Sequence, residues 1–392
     1  MLRYAVMLIA MLGQKGIPGR SGGVETHVAE LATRLTRTGN NVVAYARTWY
    51  TPKGADRFNG VRVIRLPSVR TKNLDAITHT LLATLHASFV VRPDVYHFHG
   101  VGPALLSWIP RIFAPRAKVV VTFHCIDRFH AKWNAFARLM LWLGERAAVT
   151  IPDETIVVSK VLADYVHLQY GTTPTYIPNG ITPVRTATDP LLLEPFGLES
   201  YQYVAMVSRL VPHKSQHTLI NAWKQAKAMR PDLFRGLKLA IVGGSAFTDS
   251  YVERLKAMVS EDDSIVMTGN QIGDTLEALF SGARFVVHPS TSEGLPIAIL
   301  EAMSYGKAVL AANIPENLEV VAEHGVSFSA GNEADLAEKL IELIADPMRA
   351  AAVGHLARVF VEDAYHWDDI AHETLDLYGG AFCLEHGLLA IR

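Results

Sequence analysis

The sequence predicts an α/β protein made of two doubly wound parallel-sheet domains in series. Three observations carry this. The chain has 392 residues, a length that suits two domains of ordinary size. Short β-branched apolar runs alternate with longer helical patterns throughout, as in a parallel sheet with crossover helices. An irregular Thr/Pro-rich stretch follows Pro178-Asn179-Gly180 and runs to Pro190, as an interdomain linker would. Two such domains would face a central cleft at the carboxyl ends of both sheets. The expected division is 1–183, 184–365 and a C-terminal helical segment, 366–392, that crosses back to the first domain.

Strands are expected at Ala5–Met11, Asn41–Ala46, Val61–Leu66, Val95–Phe98, Lys118–Phe123, Glu154–Val158 and Thr175–Ile177. Helices lie between them, for example Val24–Arg37 and Lys132–Ala148. The second half repeats the logic, with strands at Tyr203–Val207, Leu237–Val242, Ser264–Met267, Phe285–His288, Ala308–Ala311 and Val326–Phe328. Its helices include His217–Met229, Thr248–Val259, Ile272–Ser281, Pro296–Ser304 and Ala334–Ile344.

Apolar residues make up 49% and charged residues 19%, enough for substantial cores and inconsistent with disorder. Cys125 and Cys383 stand far apart, so neither a disulfide framework nor a cysteine zinc site is implied, and a reducing cytoplasm fits. The apolar run Tyr4–Leu12 is too short to cross a bilayer. It has the look of a signal-peptide core behind Arg3, but a Gly-rich loop follows it rather than a small-residue cleavage site, which favours a buried first strand. Charge is uneven. Residues 1–185 hold 22 Lys+Arg and 10 Asp+Glu, and the remainder 15 and 28, giving halves of +12 and −13. A basic half suits an anionic surface or a phosphate-bearing acceptor. No nucleic-acid motif is present, so a membrane surface, as at the inner face, or a lipid phosphate is the expected contact. Lys132–Ala148, with Lys132, Arg138 and Arg146 beside Trp133, Phe136 and Trp142, is either a membrane-surface helix or an amphipathic helix packed on its own domain.

The strongest chemical signal is His288-Pro-Ser-Thr-Ser-Glu293-Gly294-Leu295-Pro296-Ile-Ala-Ile-Leu-Glu301. A strand ends, a polar loop follows, and Pro296 stands where a helix begins. That helix is apolar nearly all round except for Glu301, and a carboxylate there is costly unless hydrogen-bonded. Sugar hydroxyls are suitable partners for both carboxylates. The amides of Gly294 and Leu295 at the helix start offer a phosphate site. A second signal is Ser208-Arg209-Leu-Val-Pro-His-Lys214 after a strand, where Arg209 and Lys214 suit a diphosphate. A third is Gly13-Gln-Lys-Gly16-Ile-Pro-Gly19-Arg-Ser-Gly22-Gly23-Val-Glu25 after the first strand. It lacks G-x-G-x-x-G spacing and no acidic residue ends the second strand, which argues against a dinucleotide-binding oxidoreductase. Glu25 is expected to cap or orient the helix start rather than to perform chemistry. Alternation puts His97 and His99 on one strand face, and His124 ends another strand. A metal site from these three histidines lacks a carboxylate nearby in sequence to complete it, so none is assigned. No cofactor is expected.

The Glu293–Glu301 spacing resembles the E-x7-E motif of glycosyltransferase family 4, retaining enzymes of the GT-B fold with two Rossmann-like domains. The resemblance covers nearly the whole chain. It implies that Glu293 faces the transferred hexose, that Glu301 binds the nucleotide ribose, and that Arg209 and Lys214 neutralise the leaving nucleoside diphosphate. It implies that Gly22 and Gly23 approach the donor diphosphate, that His124 contacts the sugar, and that His99 and Ser159 stand on the acceptor side. Leu295-Pro296 replaces the family's frequent Phe-Gly, Ser208 its Gly, and Ser215-Gln216 the Gly after the lysine. No Asp-x-Asp occurs, so the fixed cations and helix amides would replace a metal ion. The implied activity is transfer of a sugar from a nucleoside-diphosphate sugar, as co-substrate, to a sugar or lipid-linked acceptor in surface polysaccharide or glycolipid synthesis. The rivals are a GT-B nucleotide-sugar epimerase or phosphorylase and a non-catalytic sugar-nucleotide-binding partner of a polysaccharide assembly complex.

Overall fold

The computed structural model describes residues 6–19, 22–129, 133–182 and 189–387, with side chains to residue 379. The chain divides into two compact units, Met1–Asn179 with Trp367–Arg392, and Gly180–His366. The expected boundary between 183 and 184, Lys132 and the continuation to Arg392 lie outside the described residues, as does Ala5 at the start of the first expected strand.

The first unit holds β1 (Leu8–Leu12), β2 (Asn41–Arg47), β3 (Arg57–Phe58), β4 (Val61–Leu66), β5 (Val95–His99), β6 (Lys118–Phe123), β7 (Glu154–Val157) and β8 (Thr175–Tyr176). They form one sheet in the order β3-β4-β2-β1-β5-β6-β7-β8. All pairs are parallel except β3–β4, a two-residue antiparallel hairpin that no apolar run announces. The central strands are buried on both faces, which is why they read as continuous apolar runs rather than alternating ones. Their side chains still sort with period two. Ile9 and Met11 join a core with Val28, Leu31 and Leu35 of helix Gly23–Arg37 and with Trp367, Ile370, Leu375 and Tyr378 of helix Trp367–Gly387. Ala10 and Leu12 join the opposite core with Tyr45, Tyr96 and Phe98. The C-terminal helix is therefore part of the first unit, fixed by Arg34 Nε donating to Asp368 Oδ1 over 2.6 Å. The basic aromatic helix runs from Ala135 to Thr150, because the Asn134 side chain accepts the Ala137 N–H over 2.9 Å and caps it there.

The second unit holds β9 (Tyr203–Val207), β10 (Lys238–Val242), β11 (Ile265–Gly269), β12 (Val286–His288), β13 (Val309–Ala312) and β14 (Val326–Phe328), all parallel. Their order is β11-β10-β9-β12-β13-β14. Trp223, fully buried, anchors the core of this unit beside Phe234 and Leu340. The stretch expected to stay irregular up to Pro190 gives way to a short 3-10 helix, Pro190–Phe196, capped by Asp189.

In both sheets the chain reverses its direction of growth between two neighbouring central strands, β1 and β5 in the first and β9 and β12 in the second. Loops at the carboxyl ends of such strands diverge and leave a crevice for a ligand. The Gly-rich loop follows β1 and His99 closes β5. Arg209 and Lys214 follow β9, and Glu293 follows β12.

Candidate active site

The loop after β9 is pulled tight against β10. Ser208 N donates to Val242 O over 3.0 Å and Leu210 N to Gly244 O over 2.9 Å. Gly243 sits at φ 151, and a Cβ there would lie 1.8 Å from the Ser208 carbonyl oxygen, so only glycine fits. The buried Gln216 reaches back, donating to Ser208 Oγ and to the Arg209 carbonyl, each over 2.9 Å. Two of the positions where the sequence departs from the family pattern, Ser208 and Gln216, thus hydrogen-bond each other. The third, Ser215, adopts φ 57, the left-handed conformation for which glycine is the usual residue.

This loop is tied to the one after β12. Thr291 N donates to His213 O over 2.9 Å, and Lys214 Nζ donates to Glu293 Oε1. His288, the last residue of β12, approaches the same oxygen with Nε2 at 2.7 Å. Ser290 Oγ lies 3.0 Å from that nitrogen. Burial opposes ionisation of Glu293, but the Lys214 ammonium and the His288 ring outweigh it and hold the carboxyl well below the usual carboxylate range. Burial lowers His288, with Glu293 offsetting part of the shift. Among the described residues both partners of Glu293 use Oε1, leaving Oε2 open. Arg209 is half-buried, and among the described residues its guanidinium has no hydrogen-bond or ion-pair partner. Sequence reasoning treated Lys214 and Glu293 as separate devices and passed over His288, although it stands only five residues before Glu293.

The helix after this loop spans Ile297–Ser304, with Pro296 as its N-cap rather than its first turn. The shift by one residue changes which amides are exposed to a ligand. Gly294 keeps its expected place, buried in the loop, and Leu295 is 5% exposed with a polar contact of its own. The amide of Gly294 and the first-turn amides of Ile297 and Ala298 have no backbone partner among the described residues and are together the natural anion donors. Ile299, Leu300, Ala302 and Met303 are fully buried, as the apolar pattern requires. Glu301 is half-buried, on the second turn of this helix.

In the first unit Gly22 is the N-cap of helix Gly23–Arg37, at φ 103, and a Cβ there would lie 2.5 Å from Glu25 Oε2. Glu25 bends back into the Gly-rich loop. It accepts the Lys15 N–H over 3.1 Å and pairs with Lys15 Nζ at 3.7 Å. Arg20 and Ser21 of that loop lie outside the described residues.

His97 and His99 share a face, with ring centroids 4.1 Å apart. His97 is consumed by structure, with Nδ1 2.5 Å from Tyr378 Oη and Nε2 2.6 Å from Thr122 Oγ1. The third member of the cluster is instead His27, on the second turn of helix Gly23–Arg37, which sequence reasoning did not single out. His27 Nδ1 meets Asn179 Oδ1 at 2.9 Å, and among the described residues its buried Nε2 has no hydrogen-bond partner. His99 Nδ1 and His124 Nε2 are 3.2 Å apart. Burial brings His27 down to about 4 and holds His97, His99 and His124 well below the usual histidine value, so these rings are neutral near physiological pH. Among the described residues, His27, His99 and His124 are the ones that could hold a metal, with one nitrogen from each within 4.8 Å of the others. That spread exceeds the ~3.4 Å that ligands on 2.0–2.1 Å bonds show around a tetrahedral ion. Ser159 is fully buried and accepts the Leu162 N–H over 3.2 Å, so its hydroxyl caps helix Lys160–Tyr170.

Comparison with known proteins agrees with these features. Residues 21–185 match the family described as Glycosyltransferase Family 4, and residues 194–367 the family described as Glycosyl transferases group 1. The chain is 28% identical to a GDP-mannose-dependent alpha-(1-6)-phosphatidylinositol monomannoside mannosyltransferase of Mycobacterium tuberculosis, covering 94% of this chain and 98% of that protein. Its fold is similar to that of Anabaena HepE in complex with UDP and glucose, with a TM-score of 0.77 at 19% identity over 95% of this chain and all of that one. It is also similar to sucrose-phosphate synthase of Thermosynechococcus elongatus, with a TM-score of 0.79 at 22% identity over 96% and 99%. The fold is thus GT-B, two parallel-sheet α/β domains, and the chain belongs to glycosyltransferase family 4, the glycosyl transferases group 1.

Proposed function

We propose that this glycosyltransferase moves a hexose from a nucleoside-diphosphate sugar to a hydroxyl of a glycolipid or related glycan acceptor. Transfer proceeds with retention of the anomeric configuration and without a metal ion on the diphosphate. The observation that carries the reading is the charge set at the β9–β12 crevice. Arg209 has no described partner, Lys214 is held by Glu293, and two open helix amides lie in the next turn. Negative charge grows on the diphosphate as the bond to the sugar breaks, and fixed cations and amides stabilise it without reorganising. A lysine has three N–H donors, so Lys214 keeps Glu293 while reaching phosphate. Glu293, ionised and with Oε2 open, accepts hydrogen bonds from the sugar, and Glu301 binds the ribose. The departing phosphate oxygen takes the acceptor proton, so no side chain is assigned as general base. In the first unit, Gly22 and Gly23 approach the diphosphate, His124 meets the sugar as a neutral donor or acceptor, and His99 shapes the acceptor side. Ser159 also stands on the acceptor side, where its hydroxyl accepts the Leu162 N–H and keeps its own O–H to donate.

The mycobacterial relative acts on a phosphatidylinositol mannoside by its name, which supports a lipid-borne acceptor. Among the described residues no helix is long and apolar enough to cross a membrane. Helix Ala135–Thr150 instead leaves Phe136, Leu139 and Leu143 exposed at 70%, 48% and 37%, with Arg138 and Arg146 also exposed. Such a face suits peripheral contact with an anionic membrane surface on the cytoplasmic side. Melting-temperature shifts with GDP, UDP, ADP and TDP test the donor class. One of them at a ~100-fold excess over its Kd should add roughly 2.7 kcal/mol of stability. A protein unmoved by all four, and inert with GDP- and UDP-hexoses on phosphatidylinositol mannoside vesicles, would sink the proposal.

A further inference from the structure

A cavity of about 470 Å³ lies in the second unit, between the strand starts and helix Pro347–Ala364. Tyr201 and Gln202 precede β9, Arg284 precedes β12 and Lys307 precedes β13. The cavity is therefore at the amino edge of the sheet, and the residues proposed to bind the diphosphate are at the carboxyl edge. Five residues of β9 separate the two, roughly 17 Å of strand.

Its charge is unbalanced. Lys307 is only 6% exposed, and its Nζ stands 4.5 Å from the Tyr201 ring centroid. Arg284 donates to the Ile344 carbonyl over 2.8 Å. Among the described residues neither cation has a carboxylate partner. Arg358, paired with Glu362, and His355 line the same space. A buried ammonium without a counter-ion is costly. Burial alone brings Lys307 down to about 8 and lowers Arg284 from its usual value. An anion in the cavity would relieve both, and the volume is that of a metabolite-sized ligand.

We propose that this cavity is a second binding site, for a small phosphate-bearing molecule held by Lys307 and Arg284 against the Tyr201 ring. Soluble phosphate esters and lipid head groups share this chemistry. The site is independent of the donor assignment, and its test does not use transfer activity.

The probe is pyridoxal 5′-phosphate. The Lys307 amine condenses with the aldehyde, losing water, and borohydride delivers hydride to the imine to leave a stable secondary amine that peptide mapping locates. Lys307 should be labelled at least tenfold faster than Lys256, whose side chain is 60% exposed. Pyridoxal, which lacks the phosphate, should label Lys307 at least fivefold more slowly. Ala351→Asp, an exposed position on the cavity wall, should slow phosphate-dependent labelling to the same degree with the melting temperature unchanged. Protection by glycerol 3-phosphate identifies a soluble ester as the ligand source. Protection only by vesicles carrying phosphatidic acid identifies a head group. Equal labelling by pyridoxal and its phosphate, or no protection by either phosphate source, would overturn the site.

Discussion

Replacing Lys214 with Met removes the ammonium from Glu293 and keeps most of the stem's volume. The two side chains are 13% and 8% exposed, so the carboxylate left behind gains little water. Removing one partner of a buried pair costs about 3–5 kcal/mol. Here His288 still meets Oε1 at 2.7 Å, and a hydrogen bond to a charged group is worth about 1.5–3 kcal/mol. The expected loss therefore falls at or just below the low end of that range, roughly 2–3 kcal/mol. Glu293→Gln strands Lys214 instead and should cost a similar amount. The double variant strands neither, so it should be less destabilised than the sum of the singles by about 1–3 kcal/mol. The assay is urea denaturation of the four proteins followed by the fluorescence of Trp223, buried in the same unit. Costs that add within ~0.5 kcal/mol would refute the view that Lys214 and Glu293 act as one device.

Three further outcomes are expected. The first concerns pH. His27 binds its proton at about 4 in the folded chain against the usual histidine value of 6.5, so the unfolded chain takes up protons first as pH falls. This stability is complete above about pH 6.5 and is lost downward to about pH 4. By about pH 5 His27 alone accounts for roughly 2 kcal/mol, and urea midpoints of the first unit that stay flat from pH 7 to pH 5 would contradict this. Second, Ser215→Gly relieves a left-handed serine and should stabilise the second unit by about 0.5–1 kcal/mol in the same urea assay. Third, Phe136→Glu with Leu139→Glu should weaken co-sedimentation with anionic vesicles at least tenfold. Equal partitioning of variant and parent would remove that face from the membrane contact.

The strands were legible because each central one is a short, mostly apolar run buried on both faces. The Glu293–Glu301 turn was legible because its signal is local, with the strand end, loop and helix within fourteen residues. What escaped depends on distance in sequence. His27 and His124 are nearly a hundred positions apart, yet their ring centroids lie 4.8 Å apart. Lys214 and Glu293 meet across the β9–β12 crevice, and only the strand order brings them together. Ser208, Ser215 and Gln216 looked like independent departures from a pattern. The hydrogen bond from Gln216 to Ser208 makes two of them a compensating pair. The position of Pro296 was off by a single residue, and that adds the first-turn amides of Ile297 and Ala298 to the open amide of Gly294. The hairpin strand β3 is two residues long, and its pairing rather than its composition defines it.

The claim that the β9–β12 crevice handles a departing diphosphate rests most directly on Arg209. Its guanidinium has no described partner, so Arg209→Gln removes no structural contact seen in the fold and should leave the melting temperature unchanged. Loss of one charge-stabilising donor should lower kcat/KM for the nucleotide-sugar donor by about 10²–10³. A variant that folds as the parent does and transfers sugar at near-parent efficiency would contradict the account.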